Sequence, residues 1–211
     1  AMPVLPLLAG PNGAGKTTFY ERVLGPVLHL PFINADAIAR QHWPGDELRH
    51  AYQAAREAAA ARTAALEDGR SFVTETVFSH PSKLALLQAA HAAGFQTTLH
   101  IVAVPLKLAL VRVRLRVQQG GHAVPTAKQR ERYLRLWGLL AQAIQLADQT
   151  LVYDNTRADR AYHAVARFER GRLIGAPQWP DWLPPALRQP PPRVYSSPTT
   201  PPSPPAPGAS S

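Results

Sequence analysis

Apolar and polar positions along the chain fall into blocks whose period switches repeatedly. Val4–Ala9 is an unbroken apolar run ending on glycine, which predicts a buried strand. Gly15 to Leu24 reads as helix, and Pro31–Asn34 as a brief second strand. Residues 35–41 and 46–68 follow helical spacing; the second stretch is Ala-rich and stops at Gly69. Ser71–Val77 is β-branched and apolar, a third strand. Pro81–Ala93 opens on proline and closes on Gly94, a helix. Phe95–Val104 predicts strand four, Leu106–Gln119 and Thr126–Ala147 two helices, and Thr150–Asp154 strand five. His163–Phe168 and Arg172–Gly175 flank a turn at Arg170–Gly171 and predict a terminal hairpin. Strands alternating with helices imply an α/β fold, with a parallel central sheet covered by helices on both faces.

Proline divides this pattern. Of 22 prolines, 13 lie in residues 176–211. A domain over residues 1–175 and a Pro-rich, disordered tail over 176–211 are therefore expected. Trp179 and Trp182 are expected to pack the start of the tail onto the domain. The P-x-x-P patterns in Pro201–Pro207 fit a docking ligand, but composition favours a solvated extension.

Charge narrows the partners. The formal net charge is +9, which points to an anion: nucleic acid, an anionic membrane surface or a phosphorylated small molecule. Residues 107–135 hold eight basic side chains against Glu131 alone, so this segment contributes +7. There is no cysteine, hence no disulfide framework, Cys-ligated zinc or thiol nucleophile. No apolar run reaches the ~18 residues of a membrane span, and no basic stretch precedes the first apolar run as in a signal peptide. A cytoplasmic protein without a membrane partner is expected.

The chemistry is concentrated in Gly10-Pro11-Asn12-Gly13-Ala14-Gly15-Lys16-Thr17, which fits G-x-x-x-x-G-K-[ST] between a predicted strand and a predicted helix. Glycines let the backbone wrap a phosphate without Cβ clashes, and the loop N–H groups and the helix N-terminus face the anion. In this pattern Lys16 reaches the β- and γ-phosphates and the Thr17 hydroxyl holds Mg²⁺. The motif predicts a nucleoside triphosphate without saying which reaction follows. Three acids stand at the carboxyl ends of predicted strands, where ligands of open α/β sheets gather: Asp36, Glu75 and Asp154. Each could also be a helix cap or a surface acid, and Asp36 could cap the helix starting at Ala37; the functional reading is preferred for Asp36 and Glu75, because the nucleotide must sit at this edge, and not for Asp154.

The basic segment flanks Gly120–Pro125. Two helices joined by Gly120-Gly121 suit a lid over a nucleotide, and Arg112, Arg116 and Gln119 share one helical face. Guanidinium groups stabilise charge on a transferring phosphoryl group. The plainer reading is a solvated amphipathic face. His122 is expected to be a structural or phosphate-facing hydrogen-bonder rather than a metal ligand.

Taken together, G-P-N-G-A-G-K-T-T (10–18), F-I-N-A-D (32–36), F-V-T-E-T (72–76), R-V-x-x-G-G-H-x-V-P (116–125) and Y-D-N (153–155) resemble the zeta-toxin family of P-loop kinases. The likeness is to its short, single-domain members and covers about residues 4–175. It implies a P-loop kinase using ATP and Mg²⁺, with residues 10–18, Thr18 included, holding the nucleotide. It implies transfer of the γ-phosphate to a sugar hydroxyl of a nucleotide sugar such as UDP-N-acetylglucosamine, and an antitoxin protein as partner. By the same resemblance Asp36 is the general base, Glu75 and Thr76 hold the sugar nucleotide, and lid arginines contact ATP. Arg116 matches the first of these; Arg132 is chosen for the second, with Arg130 its rival. Asn34 and Ala35 depart from the longer toxins, which leaves the acceptor open. The alternatives are a kinase for an antibiotic or simple sugar, an interaction module baited by the tail, and a nucleic-acid-binding NTPase. The last is disfavoured because only Tyr133 and Trp137 interleave with the basic residues.

Overall fold

The computed structural model of the chain describes residues 1–121 and 123–190. The readings of His122 and of the tail from residue 191 onward, P-x-x-P patterns included, lie outside these residues. Among the described residues seven strands build one sheet: β1 (Val4–Ala9), β2 (Phe32–Ile33), β3 (Val73–Thr76), β4 (Gln96–Ala103), β5 (Gln149–Asp154), β6 (His163–Glu169) and β7 (Arg172–Ile174). Their order is β2-β3-β1-β4-β5-β6-β7. The first five run parallel, and β6 and β7 join antiparallel as the expected hairpin. The helices are α1 (Lys16–Phe19), α2 (Gly25–Leu28), α3 (Ala35–His42), α4 (Ala51–Glu67), α5 (Ser82–Ala92), α6 (Leu106–Gln118), α7 (Thr126–Leu146) and α8 (Pro185–Arg188). They pack on both sides of the sheet.

Because side chains alternate along a strand, neighbours Leu7 and Leu8 enter opposite layers. Leu7 joins Leu99, Ile101 and Val152 under Leu136, Leu140 and Ile144 of α7. Leu8 joins Val73 and Val102 under Phe19 and Ala109. Both faces are covered, which is why the strand reads as an unbroken apolar run.

The helix expected from Gly15 to Leu24 is broken. After α1 the backbone widens to a π-turn over Tyr20–Leu24, and the Gly25 N–H reaches back to the Tyr20 carbonyl. Pro26 supplies the reason: it has no N–H to give the Arg22 carbonyl, and its ring crowds that oxygen.

Described residues beyond 175 also pack on the domain, as expected of Trp179 and Trp182. Leu183 and Leu187 are fully buried in the same core as Phe168. Trp179 and Trp182 pack against that core, the Trp179 ring 6.3 Å from Phe168, and the Arg188 guanidinium donates to the Pro180 carbonyl at 2.8 Å. Four apolar side chains among the prolines are enough to hold residues 179–188 on the domain. No described helix is long and apolar enough to cross a membrane.

Candidate functional site

The sheet order places β1 between β3 and β4, so the chain leaving Ala9 emerges at the carboxyl edge in the middle of the sheet. Gly10 turns there with φ 149°, and a Cβ on it would lie 2.2 Å from the Val102 carbonyl oxygen. Gly15 (φ 98°) has no more room, because a Cβ would meet the Asn155 amide at 2.8 Å and the Tyr162 hydroxyl at 2.9 Å. Those two side chains hold the loop from behind. Asn155 Nδ2 donates to the Ala14 carbonyl and the Tyr162 hydroxyl to the Gly15 carbonyl, both at 2.8 Å. Arg112 in turn donates to the Asn155 carbonyl at 2.9 Å.

Lys16 is buried at 8% exposure and folds back on the loop, donating to the Gly10 carbonyl at 2.8 Å and the Pro11 carbonyl at 3.1 Å. Burial lowers its pKa from 10.5 to about 8; Glu75 and Asp36 pull it back up, and Arg116 pushes it down. An ammonium so poorly compensated by neutral carbonyls gains from a polyphosphate placed on the loop.

Glu75, next to last in β3, accepts the Thr17 hydroxyl, whose oxygen lies 3.1 Å from each carboxylate oxygen. It also accepts Asn34 Nδ2 at 2.5 Å. Asn34 Oδ1 meanwhile caps α3 by accepting the Ala37 N–H at 2.9 Å. The cap is therefore Asn34 and not Asp36, which leaves the Asp36 carboxylate exposed in the first turn of α3. The Thr76 hydroxyl accepts the Phe78 N–H at 3.0 Å and shapes a turn in which Phe78 takes φ 62°, rare for so bulky a residue. Asp154 is absorbed locally, accepting the Thr156 N–H at 2.9 Å as the head of an Asx turn.

A cavity of about 680 Å³ brings most of the expected residues together. Asn12, Gly13 and Gly15 to Thr18 form one wall; Asn34, Asp36, Glu75 and Thr76 line it, and Arg112 and Arg116 stand over it. Gly10, Pro11 and Ala14 do not line it; they shape the loop from behind. Arg132 is outside as well, in a small hollow against Pro11, Asn12 and Tyr133, while the exposed Arg130 borders neither space. The sequence reading missed Arg40, Arg62 and Lys83, which line the same cavity. A signal existed for Arg62: Ala55, Ala58, Ala59 and Arg62 recur at i, i+3, i+4, i+7, a small-residue face closed by a cation. Lys83 carries no such signal. A second hollow, about 820 Å³, opens at the amino ends of β4 and β5 beside Arg170 and Arg172, away from the loop. Ligands of parallel α/β sheets gather at the other end, so the site is assigned to the loop cavity. Among the described residues no group of three His, Asp or Glu side chains could hold a metal. The oxygen pair of Thr17 and Glu75 is the donor set that suits a hard cation.

Residues 5–137 match the AAA domain family. No curated protein matches the chain. The fold recurs in a chain of the PezAT chromosomal toxin–antitoxin system of Streptococcus pneumoniae, at 16% identity over 72% of this chain and 67% of that one, with a TM-score of 0.56. It recurs in a candidate kinase from Chloroflexus aurantiacus at 21% identity, covering 76% and 92% of the two chains, TM-score 0.59. A third similar chain belongs to the AvrRxo1-ORF1:-ORF2 structure with ATP, at 17% identity over 86% and 66%, TM-score 0.64. At these identities fold is what is shared, and the chain spans about two thirds of the length of the first and third.

Proposed function

The chain belongs to the AAA domain family and has a P-loop kinase-like fold, and on that premise we propose that it is an ATP-dependent small-molecule kinase. Its acceptor is the sugar hydroxyl of a nucleotide sugar such as UDP-N-acetylglucosamine. The observation that carries this reading is the convergence of Lys16, Thr17, Asp36, Glu75, Arg112 and Arg116 on one cavity. A phosphate loop alone suits any NTPase; an exposed carboxylate facing the same space is what a hydroxyl acceptor needs.

In this reading Asp36 takes the hydroxyl proton as the sugar oxygen bonds to the γ-phosphorus and the bond to ADP breaks. Lys16 exchanges its loop carbonyls for the β- and γ-phosphates, and Arg116 neutralises charge on the transferring group. Arg132 reaches the nucleotide from the far side of Pro11 and Asn12. Glu75 and Thr76 orient the acceptor. The Thr17 and Glu75 oxygens fit Mg²⁺, which when bound neutralises phosphate charge. An antitoxin-like protein covering the cavity is the expected partner, in keeping with the toxin–antitoxin system named for one structural neighbour.

Incubation with ATP, Mg²⁺ and UDP-N-acetylglucosamine should give a product one phosphoryl group heavier by mass spectrometry. Asp36→Asn should slow its formation by ~10²–10⁴ while ATP still binds. Full turnover in that variant removes Asp36 as base, and no product from any of a panel of nucleotide sugars overturns the reading.

A further inference from the structure

Six cations and two acids line the cavity: Lys16, Arg40, Arg62, Lys83, Arg112 and Arg116 against Asp36 and Glu75. The cations are not one cluster. Lys16 feels Glu75, Arg116 and Asp36, whereas Lys83 feels Arg62. The second pair comes from different elements, Arg62 from α4 and Lys83 from the first turn of α5.

Three physical costs meet at this pair. Both side chains are partly buried, and burial lowers both pKa values. Among the described residues no carboxylate forms an ion pair with either. Lys83 also stands at the positive end of the α5 dipole, in a first turn that holds no acid. Two like charges placed together, partly desolvated and without a counter-ion need a ligand to offset them. Ala55, Ala58 and Ala59 leave space beside Arg62, where larger side chains would fill the wall.

We infer that Arg62 and Lys83 form a second anion subsite, which takes a phosphate or diphosphate group carried by the acceptor and so presents its hydroxyl to Asp36. The inference rests on the kinase reading and sharpens it. The Arg62 guanidinium offers a fork of N–H donors to phosphate oxygens, and Lys83 adds a point charge. The pair also works against the other acceptors. A cationic antibiotic is repelled, and a neutral sugar leaves both charges uncompensated.

The test separates this subsite from the nucleotide site. Protein saturated with Mg²⁺ and a non-hydrolysable ATP analogue is titrated with inorganic pyrophosphate by calorimetry. Wild-type protein should bind it, and Arg62→Gln and Lys83→Gln should each weaken that binding by roughly tenfold or more. Affinity for the ATP analogue should stay unchanged, which shows that the variants are folded, and Arg62→Lys should restore part of the loss. No pyrophosphate binding to the loaded wild-type protein overturns the subsite, as does equal binding in both Gln variants. If pyrophosphate binds through Arg62 and Lys83 while UDP-N-acetylglucosamine is not phosphorylated, the subsite stands and that choice of acceptor falls.

Discussion

Glycine is dense in two places, the phosphate loop and the end of α6, and the two uses differ. In the loop the space of the missing Cβ is taken by parts of the chain far away in sequence: Val102 against Gly10, Asn155 and Tyr162 against Gly15. At the end of α6 the contacts are local. The Gly120 N–H bonds the Val117 carbonyl at 3.0 Å and the Gly121 N–H the Arg116 carbonyl at 2.8 Å, a helix C-cap. A Cβ on Gly120 would meet nothing within 4 Å among the described residues, although its φ is 93°. One set of glycines is fixed by crowding from distant parts of the chain, the other locally, Gly120 by its backbone conformation and Gly121 by the Arg116 carbonyl oxygen, 2.8 Å from where a Cβ would stand.

The largest expected effect separates the two. Gly10→Ala forces a left-handed conformation and a clash with main chain, and should cost about 3 kcal/mol or more and abolish nucleotide binding. Gly120→Ala should cost only about 1 kcal/mol, the conformational part, and leave nucleotide affinity intact. Thermal unfolding with and without nucleotide reads both; equal losses would erase the distinction.

A smaller effect should come from pH through Lys16. Its pKa in the free protein is about 8 against an ordinary 10.5, so between those values the unfolded chain binds more protons. Stability of the free protein should therefore rise with pH from about 8 to about 10.5, the burial penalty being fully present below. Nucleotide affinity should run the other way, falling by up to about tenfold per pH unit above about 8 as the ammonium is lost. An affinity unchanged between pH 7.5 and 9.5, values set about that pKa, would place Lys16 away from the phosphates. Tyr162→Phe should have the smallest effect, removing one bond to the Gly15 carbonyl for about 1 kcal/mol, or roughly fivefold in nucleotide affinity. A loss as large as that of Gly10→Ala would mean that the hydroxyl, not the crowding, shapes the loop.

The elements lying on strong patterns were legible, because an unbroken apolar strand and a capped amphipathic helix announce themselves locally. The break after Phe19 was missed, since Pro26 acts backward on a carbonyl four residues earlier. Packing through Trp179 and Trp182 was legible, whereas the burial of Leu183 and Leu187 was not, because proline content masked them. At the site, the phosphate loop and the resemblance-based positions of Asp36, Glu75 and Arg116 reach the cavity, whereas Arg132 lies in a neighbouring hollow.

The sequence by itself determined the phosphate loop, the parallel sheet and the concentration of positive charge between residues 107 and 135, since each depends on contiguous residues. Tertiary structure decided which charges share a cavity. Arg62 and Lys83 are 21 positions apart in the chain and become a pair only when α4 and α5 join one core cluster with Leu5 of β1. Even the capping of α3 was settled there, because Asn34 joins that helix to Glu75, and a side chain serving a helix and a strand at once leaves no mark in either segment alone.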